Sequence, residues 1–243
     1  MSIFRNVVFL AAVSGLLAGI VMAALQSFAT DPLIWQAETY ESAGASSAHD
    51  HGAAADAAPG HHHGGEAWSP ADGFERFAFN VLANVVTGLG FALVLVAASE
   101  FAGGIGSWRK GLFWGFAGFA VFTLAPGLGL PPKLPAMPAA DLVERQAWWI
   151  GTAAATAAGL AMIAFRRSLV WALGGVALIV TPQLIGAPQP ASYESPVPEE
   201  LHHRFVVAVT VTNLVFWLVL GAAVGFFRGR LLKPADGLQG RFA

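Results

Sequence analysis

Residues 77–99 read FAFNVLANVVTGLGFALVLVAAS, a run that contains no charged side chain. A helix needs about 20 predominantly apolar residues to cross the hydrocarbon of a bilayer, and this run is long enough. Apolar and polar residues do not alternate in it, and glycine and alanine are frequent, so a helix is favoured over a barrel strand. We therefore predict a transmembrane helix here.

Five further runs have the same character. They lie at 7–28, 111–130, 147–165, 168–187 and 205–227. The chain of 243 residues is 56% hydrophobic and 12% charged, whereas a soluble domain carries about 25% charged residues. We predict an all-α fold: a polytopic membrane helix bundle of about six transmembrane helices, forming one integral membrane domain over residues 1–243. The first run is longer than the roughly 7–15 apolar residues of a signal peptide, so we expect an uncleaved span.

The segments between these runs alternate in charge. One set holds nine basic residues and two acids, and the other holds four basic residues and thirteen acids. Basic loops remain in the cytoplasm, so we predict that both termini are cytoplasmic. The outer loops are then 29–76, 131–146 and 188–204.

The sequence also indicates an internal repeat. Residues 109–114, RKGLFW, match residues 166–171, RRSLVW, which would make spans 4 and 5 a second copy of the hairpin formed by spans 2 and 3. Transporters often contain such repeats. Chance similarity between glycine-rich helices is the alternative. Glycine pairs at spacing four also predict close helix contacts. These pairs are Gly15/Gly19, Gly111/Gly115 and Gly221/Gly225.

Proline interrupts the outer ends of spans 3 and 5. Pro126 lies in one and Pro182, followed by Gln183, in the other. Proline removes a backbone donor, and irregular backbone at membrane depth is tolerated only where it is buried in protein or lines a wet cavity. Two interpretations remain open, a vestibule for solutes and simple helix ends that enter loops.

All the histidines lie in the predicted outer loops. They are His49, His51, His61, His62, His63, His202 and His203, with Asp50 between the first two. Imidazole and carboxylate groups bind cobalt, nickel, zinc and copper. We expect the His/Ala/Gly-rich loop 29–76 to be flexible and to capture a metal ion with modest selectivity. A solvated linker with incidental histidines is the alternative.

Polar side chains form stripes on two of the predicted helices. One consists of Asn80, Asn84 and Thr87, and the other of Thr210 and Asn213, in register with His203. Steps of three, four and seven residues place side chains on one helix face. Asparagine inside a membrane is costly unless it bonds a neighbour or meets a cavity. Each stripe therefore either lines an ion pathway or holds helices together.

Several chemistries have no support in the sequence. Cysteine is absent, no Gly-x-x-x-x-Gly-Lys-Ser/Thr loop for nucleotide binding occurs, and neither a Gly-x-Ser-x-Gly elbow nor a His-Glu-x-x-His motif is present. We therefore expect neither an enzyme nor a prosthetic group. No composition feature points to nucleic acid.

Three blocks carry a resemblance to a known family. They are residues 125–135, APGLGLPPKLP; 144–149, ERQAWW; and 182–188, PQLIGAP. Across most of its length the chain resembles the CbtA-type family of predicted cobalt transporter subunits. The resemblance implies cobalt as the ion and a small single-span, histidine-bearing partner of the CbtB type.

Three functions follow as hypotheses, and the third, a membrane enzyme with a His/carboxylate metal site at the outer surface, is disfavoured because a catalytic site needs a fixed set of ligands that a flexible loop does not supply. The first is a subunit of a divalent transition-metal transporter that imports cobalt across the bacterial inner membrane, with the histidines as metal ligands. Asn80, Asn84, Thr87, Pro126, Pro182, Gln183, Thr210 and Asn213 would line its pathway. The second is a membrane metal-binding or assembly factor that does not transport. Association of several copies is left open.

Overall fold

A computed structural model describes residues 2–49, 70–71, 73–166 and 168–231. These residues form helices and connecting loops without a strand, which confirms the predicted all-α class. The helices are α1 (Ser2–Ala29), α2 (Asp31–His49), α3 (Phe74–Glu100), α4 (Trp108–Phe119), α5 (Ala125–Gly129), α6 (Leu142–Phe165), α7 (Leu169–Ile185) and α8 (Glu199–Leu231). One π-helical turn, Ala120–Leu124, joins α4 to α5.

Five stretches of the described chain are long and apolar enough to cross a membrane. They are Phe4–Ala29, Phe74–Glu100, Trp108–Gly129, Leu142–Phe165 and Glu199–Arg230. A shorter apolar helix, α7, has 17 residues, which rise about 25 Å against a hydrocarbon thickness of roughly 30 Å. The predicted polytopic bundle is confirmed, with α4, the π-helical turn and α5 forming one span.

Glycine contacts set the spacing of the main helices. A Cβ atom on Gly15 would lie 2.6 Å from the Cα of Leu89, so α1 and α3 touch through their backbones. Gly111 of α4 meets Gly221 of α8 in the same way. Such contacts require residues without a Cβ. The close approaches predicted from the glycine pairs are confirmed.

The predicted hairpin repeat is not reproduced in the packing. Helices α6 and α7 pack along each other, and Gly159 faces Gly175 at their crossing. By contrast, α3 and α4 touch only slightly, because α3 packs on α1 and α4 packs on α8. The similarity in sequence between the two helix pairs is therefore not accompanied by the same arrangement.

The centre of the bundle is aromatic. Trp217 of α8 is buried, and its indole stacks on Phe122 of the π-helical turn with ring centroids 5.5 Å apart. Phe91 of α3 lies 4.8 Å from the same indole. These rings connect three helical segments at mid-bundle.

A second apolar cluster corrects an expectation about the first outer loop. The sequence predicts a flexible loop over 29–76, whereas Asp31–His49 form helix α2. Leu33 and Ala37, one turn apart, are buried against Leu201 and Phe205 of α8. Burial of this apolar stripe holds the segment as a helix on the end of the bundle.

An ion pair joins α3 to α8 at the opposite end. Glu100 and Arg228 form two contacts, one of them 3.2 Å between Nη2 and Oε2. The two side chains are 17% and 13% exposed. Gly104, with φ +79°, lies directly against the guanidinium group. The pair neutralises two charges where the helices end.

Substitution of one glycine tests the packing of α4 on α8. Gly221→Ala places a methyl group against the carbonyl of Gly111, so we expect a loss of about 1–3 kcal/mol in stability from overpacking. Gly151→Ala is the matched control, because open space surrounds that position. There the same change should stabilise the helix by about 0.5–1 kcal/mol. Thermal unfolding in detergent measures both, and equal shifts would contradict the contact.

Candidate functional site

A cavity with both polar and apolar lining opens at the end of the bundle where α2 lies. It has a volume of about 840 Å³ and is enclosed by α1, α2, α3 and α8. Met22, Phe205 and Val209 form part of its apolar wall. Its polar lining consists of Gln26, Ser27, Thr30, Asp31, Glu38, Arg76, Asn80, Thr212 and Asn213. The sequence predicted two of these, Asn80 and Asn213.

A chain of side-chain amides connects α1 to α3 at this cavity. The Nδ2 group of Asn84 donates to Oε1 of Gln26 at 2.6 Å and to Oδ1 of Asn80 at 2.8 Å. The Nδ2 group of Asn80 in turn points at Oδ2 of Asp31, 3.5 Å away. Asparagines on α3 are thus partnered by α1 and by the first residue of α2.

The connection between α1 and α2 places Asp31 in the wall. Thr30 is the single residue between the helices, and its carbonyl accepts from the backbone N–H groups of Leu33 and Ile34. Because a single residue connects the two helices, the first turn of α2 and the last turn of α1 line the same cavity. Burial raises the pKa of the Asp31 carboxyl, and the charge of Arg76 opposes that effect.

The cavity contains an ion pair as well. Arg76 of α3 bonds both carboxylate oxygens of Glu38 on α2. About a third of each side chain is exposed (34% and 38%), so the pair lies at the rim. Charges therefore line the cavity at Asp31, Glu38 and Arg76, and two of the three neutralise each other.

Helix α8 supplies the opposite wall. Thr212 is buried, and Asn213 donates to the carbonyl of Val209 at 2.9 Å. Asn213 lies one turn before Trp217. The amide-lined space therefore borders directly on the aromatic centre of the bundle.

Other residues of the predicted pathway lie away from this cavity. Thr87 and His203 are exposed, and Thr210 donates to the carbonyl of Val206 in its own helix. None of the three lines the cavity walls.

The two prolines lie together in a separate part of the bundle. Pro126 follows the π-helical turn, which accommodates its missing donor, while α7 continues through Pro182 to Ile185. Both prolines are buried, and Nε2 of Gln183 donates to the carbonyl of Ala125 at 2.8 Å. The backbone is α-helical at both prolines, and the irregularity is the π-helical turn that ends just before Ala125 and Pro126.

Most of the predicted metal ligands fall outside the described residues. Asp50, His51, His61, His62 and His63 do so, and only the backbone of His49, at the end of α2, is described. His202 bonds the carbonyl of Pro132 at 3.1 Å through Nε2. Within the described ranges no three His, Asp, Glu or Cys side chains come together.

Seven of the nine polar lining residues were not predicted as part of a pathway, and two of the seven, Gln26 and Asp31, accept hydrogen bonds from the asparagines of α3. Gln26 is the one side-chain amide within the first apolar run, 7–28, and Asp31 lies three residues beyond the end of that run. An amide side chain within an apolar run indicates a candidate site residue, because polar groups inside a membrane are costly unless they have a partner or a function. The position of Asp31 depended on the corner at Thr30, which the apolar pattern does not reveal.

Comparison with family models gives one finding. The model described as "Probable cobalt transporter subunit (CbtA)" matches residues 4–229. Neither the curated proteins nor the solved structures contain a match to the chain.

The raised pKa of Asp31 predicts a pH-dependent stability. The neutral carboxyl is favoured in the folded state, so its stabilising effect is complete at low pH and is lost as pH rises through the raised pKa. Asp31→Asn should therefore raise the thermal midpoint at pH 7 and change it less at pH 4. Asp141→Asn, at an exposed helix cap where asparagine serves equally well, is the control. A lower midpoint for Asp31→Asn at pH 7 would contradict the assignment.

Proposed function

Since the chain belongs to the CbtA family of probable cobalt transporter subunits, we propose that it imports cobalt(II) across the bacterial inner membrane. In this proposal the ion enters through the cavity at the end of the bundle. The observation that carries this proposal is the cavity itself. Gln26, Asp31 and Asn80 gather oxygen atoms and a carboxylate at one end of an apolar bundle. Polar groups inside a membrane bundle are costly, and they mark solute pathways.

The distribution of basic residues supports import as the direction. Arg109, Arg166 and Arg228 lie at helix ends opposite the cavity, since α3, α6 and α8 end where α4 and α7 begin. Basic ends face the cytoplasm. The cavity then opens to the outside, and both termini are cytoplasmic.

The histidine-rich segment fits a capture role in this scheme. Residues 50–69 follow α2, whose first turns form part of the cavity wall. A tether attached to the far end of α2 would raise the ion concentration on the side of the membrane where the cavity opens. The description of the family as a subunit supports a partner, and we propose a small single-span, histidine-bearing protein of the CbtB type.

Cobalt uptake with an altered amide chain tests the transport function. Asn84→Leu removes the donor shared by Gln26 and Asn80, so we expect uptake to fall about tenfold or more, because the two partly buried acceptors lose the partner that holds them in position. Thr87→Leu is the matched control on the same helix, since Thr87 is exposed and should tolerate the change. Radioactive cobalt uptake is measured in cells that lack other cobalt importers and that express the chain with its partner.

Two outcomes of this uptake assay would count against transport. Uptake that does not depend on the chain at all would overturn the proposal. Unchanged uptake in Asn84→Leu would remove the cavity from the pathway. A metal-binding or assembly factor predicts a third pattern, with cobalt affinity intact in every variant and no flux.

Loss of the loop histidines separates capture from passage. With His49, His51, His61, His62 and His63 replaced by alanine, we expect slower uptake at low cobalt concentration and an unchanged maximal rate at saturating cobalt. Serine-to-alanine changes at 42, 46 and 47 are the control for altering the same segment. An unchanged rate at low cobalt, or a reporter fused after residue 63 that proves cytosolic, would contradict capture from outside.

A further inference from the structure

The size of the cavity bears on the form in which an ion is held. Its volume is about 840 Å³. A divalent ion with about six waters, at about 30 Å³ per water, needs roughly 180 Å³. The hydrated ion therefore fits with room to spare.

The lining lacks the ligands that strip water from a transition metal. Among the described lining residues there is neither imidazole nor thiolate. Glu38 is engaged by Arg76, which leaves Asp31 as the carboxylate outside that ion pair. Direct cobalt coordination would have to rest on one carboxylate and neutral oxygens, which are ligands suited to harder ions that retain water.

The amides are oriented toward one another rather than toward a common ion position. Oε1 of Gln26 and Oδ1 of Asn80 both accept from Nδ2 of Asn84. The NH₂ group of Asn80 faces the Asp31 carboxylate. A bare ion drawn to the Asp31 carboxylate would meet the NH₂ group of Asn80, a donor that repels a cation.

The same oxygens remain able to accept from water. A carbonyl oxygen has two lone pairs, and each bond from Asn84 uses one of them. Water bound to a metal ion directs its hydrogens outward and donates. Free acceptor sites on Gln26 and Asn80, together with the carboxylate of Asp31, therefore match the outer surface of a hydrated cation.

We infer that the cavity holds a divalent cation with its hydration shell intact, through hydrogen bonds from bound water to Asp31, Gln26 and Asn80. This inference rests on the proposed function and specifies the form of the substrate. Outer-sphere contacts discriminate between hydrated ions by charge and size but not by the identity of the metal. Discrimination among cobalt, nickel and magnesium then belongs to other parts of the chain or to its partner.

Hexaamminecobalt(III) tests this inference directly. Its six ammonia ligands do not exchange, it is close in size to a hexahydrated ion, and its N–H groups point outward. Binding to the purified full chain in detergent is measured by titration calorimetry. We expect binding by the wild-type chain, about tenfold or more weaker binding by Asp31→Asn, and wild-type binding by Asp141→Asn. The exchange-inert complex cannot coordinate to histidine, so direct coordination by the loop histidines is excluded, and the dependence on Asp31 identifies binding in the cavity.

Each other result contradicts the inference. Cobalt(II) binding that depends on Asp31, without binding of the ammine complex, indicates direct coordination. Equal binding by the wild type and Asp31→Asn places the complex elsewhere on the chain. Thermal unfolding checks that Asp31→Asn is folded. We expect the variant to be at least as stable as the wild type at pH 7.

The inference and the transport function fail separately. If excess external hexaamminecobalt(III) does not inhibit cobalt uptake, the chain transports cobalt but the hydrated-ion site is contradicted. If the chain binds the complex through Asp31 but supports no cobalt uptake, the hydrated-ion site is supported and the transport function is contradicted.

Discussion

Backbone contact between helices is the constraint on which this structure depends. Lipid gives helices no hydrophobic reason to associate, so close packing must supply the attraction. Gly15 of α1 touches α3, and Gly221 of α8 touches Gly111 of α4. Since α8 also packs along α1, these crossings bring the four helices into one group. The cavity lies beyond the crossings, at the end where α2 covers the group.

Polar groups in that cavity are stable because most are partnered. Asn84 supplies donors to Gln26 and Asn80, which removes the cost of leaving those oxygens without a bond. Asp31 is partnered by Asn80, but its burial still disfavours the charged form. A carboxylate held at a cost to stability is typical of a binding site that is ready for a cation, because the ligand supplies the missing interaction.

The aromatic centre separates the cavity from the other end of the bundle. The indole of Trp217 stacks on Phe122, and Phe122 belongs to the π-helical turn just before Pro126. Under the proposed function, an ion that leaves the cavity must pass these rings. Passage would require these rings to move. A π-helical turn is a local departure from regular helix and is often found at functional sites, so we expect the movement to occur in this segment.

The sequence by itself determined the apolar spans, the basic helix ends, the glycine contacts and the presence of asparagine in a span, because each depends on composition or on spacing along one helix. It did not determine which helices meet. Only the tertiary structure placed Gln26 and Asp31 beside Asn80, folded Asp31–His49 as a helix and separated α3 from α4. Helical period identifies the face on which a side chain lies, whereas the partner of that face depends on packing between segments distant in sequence.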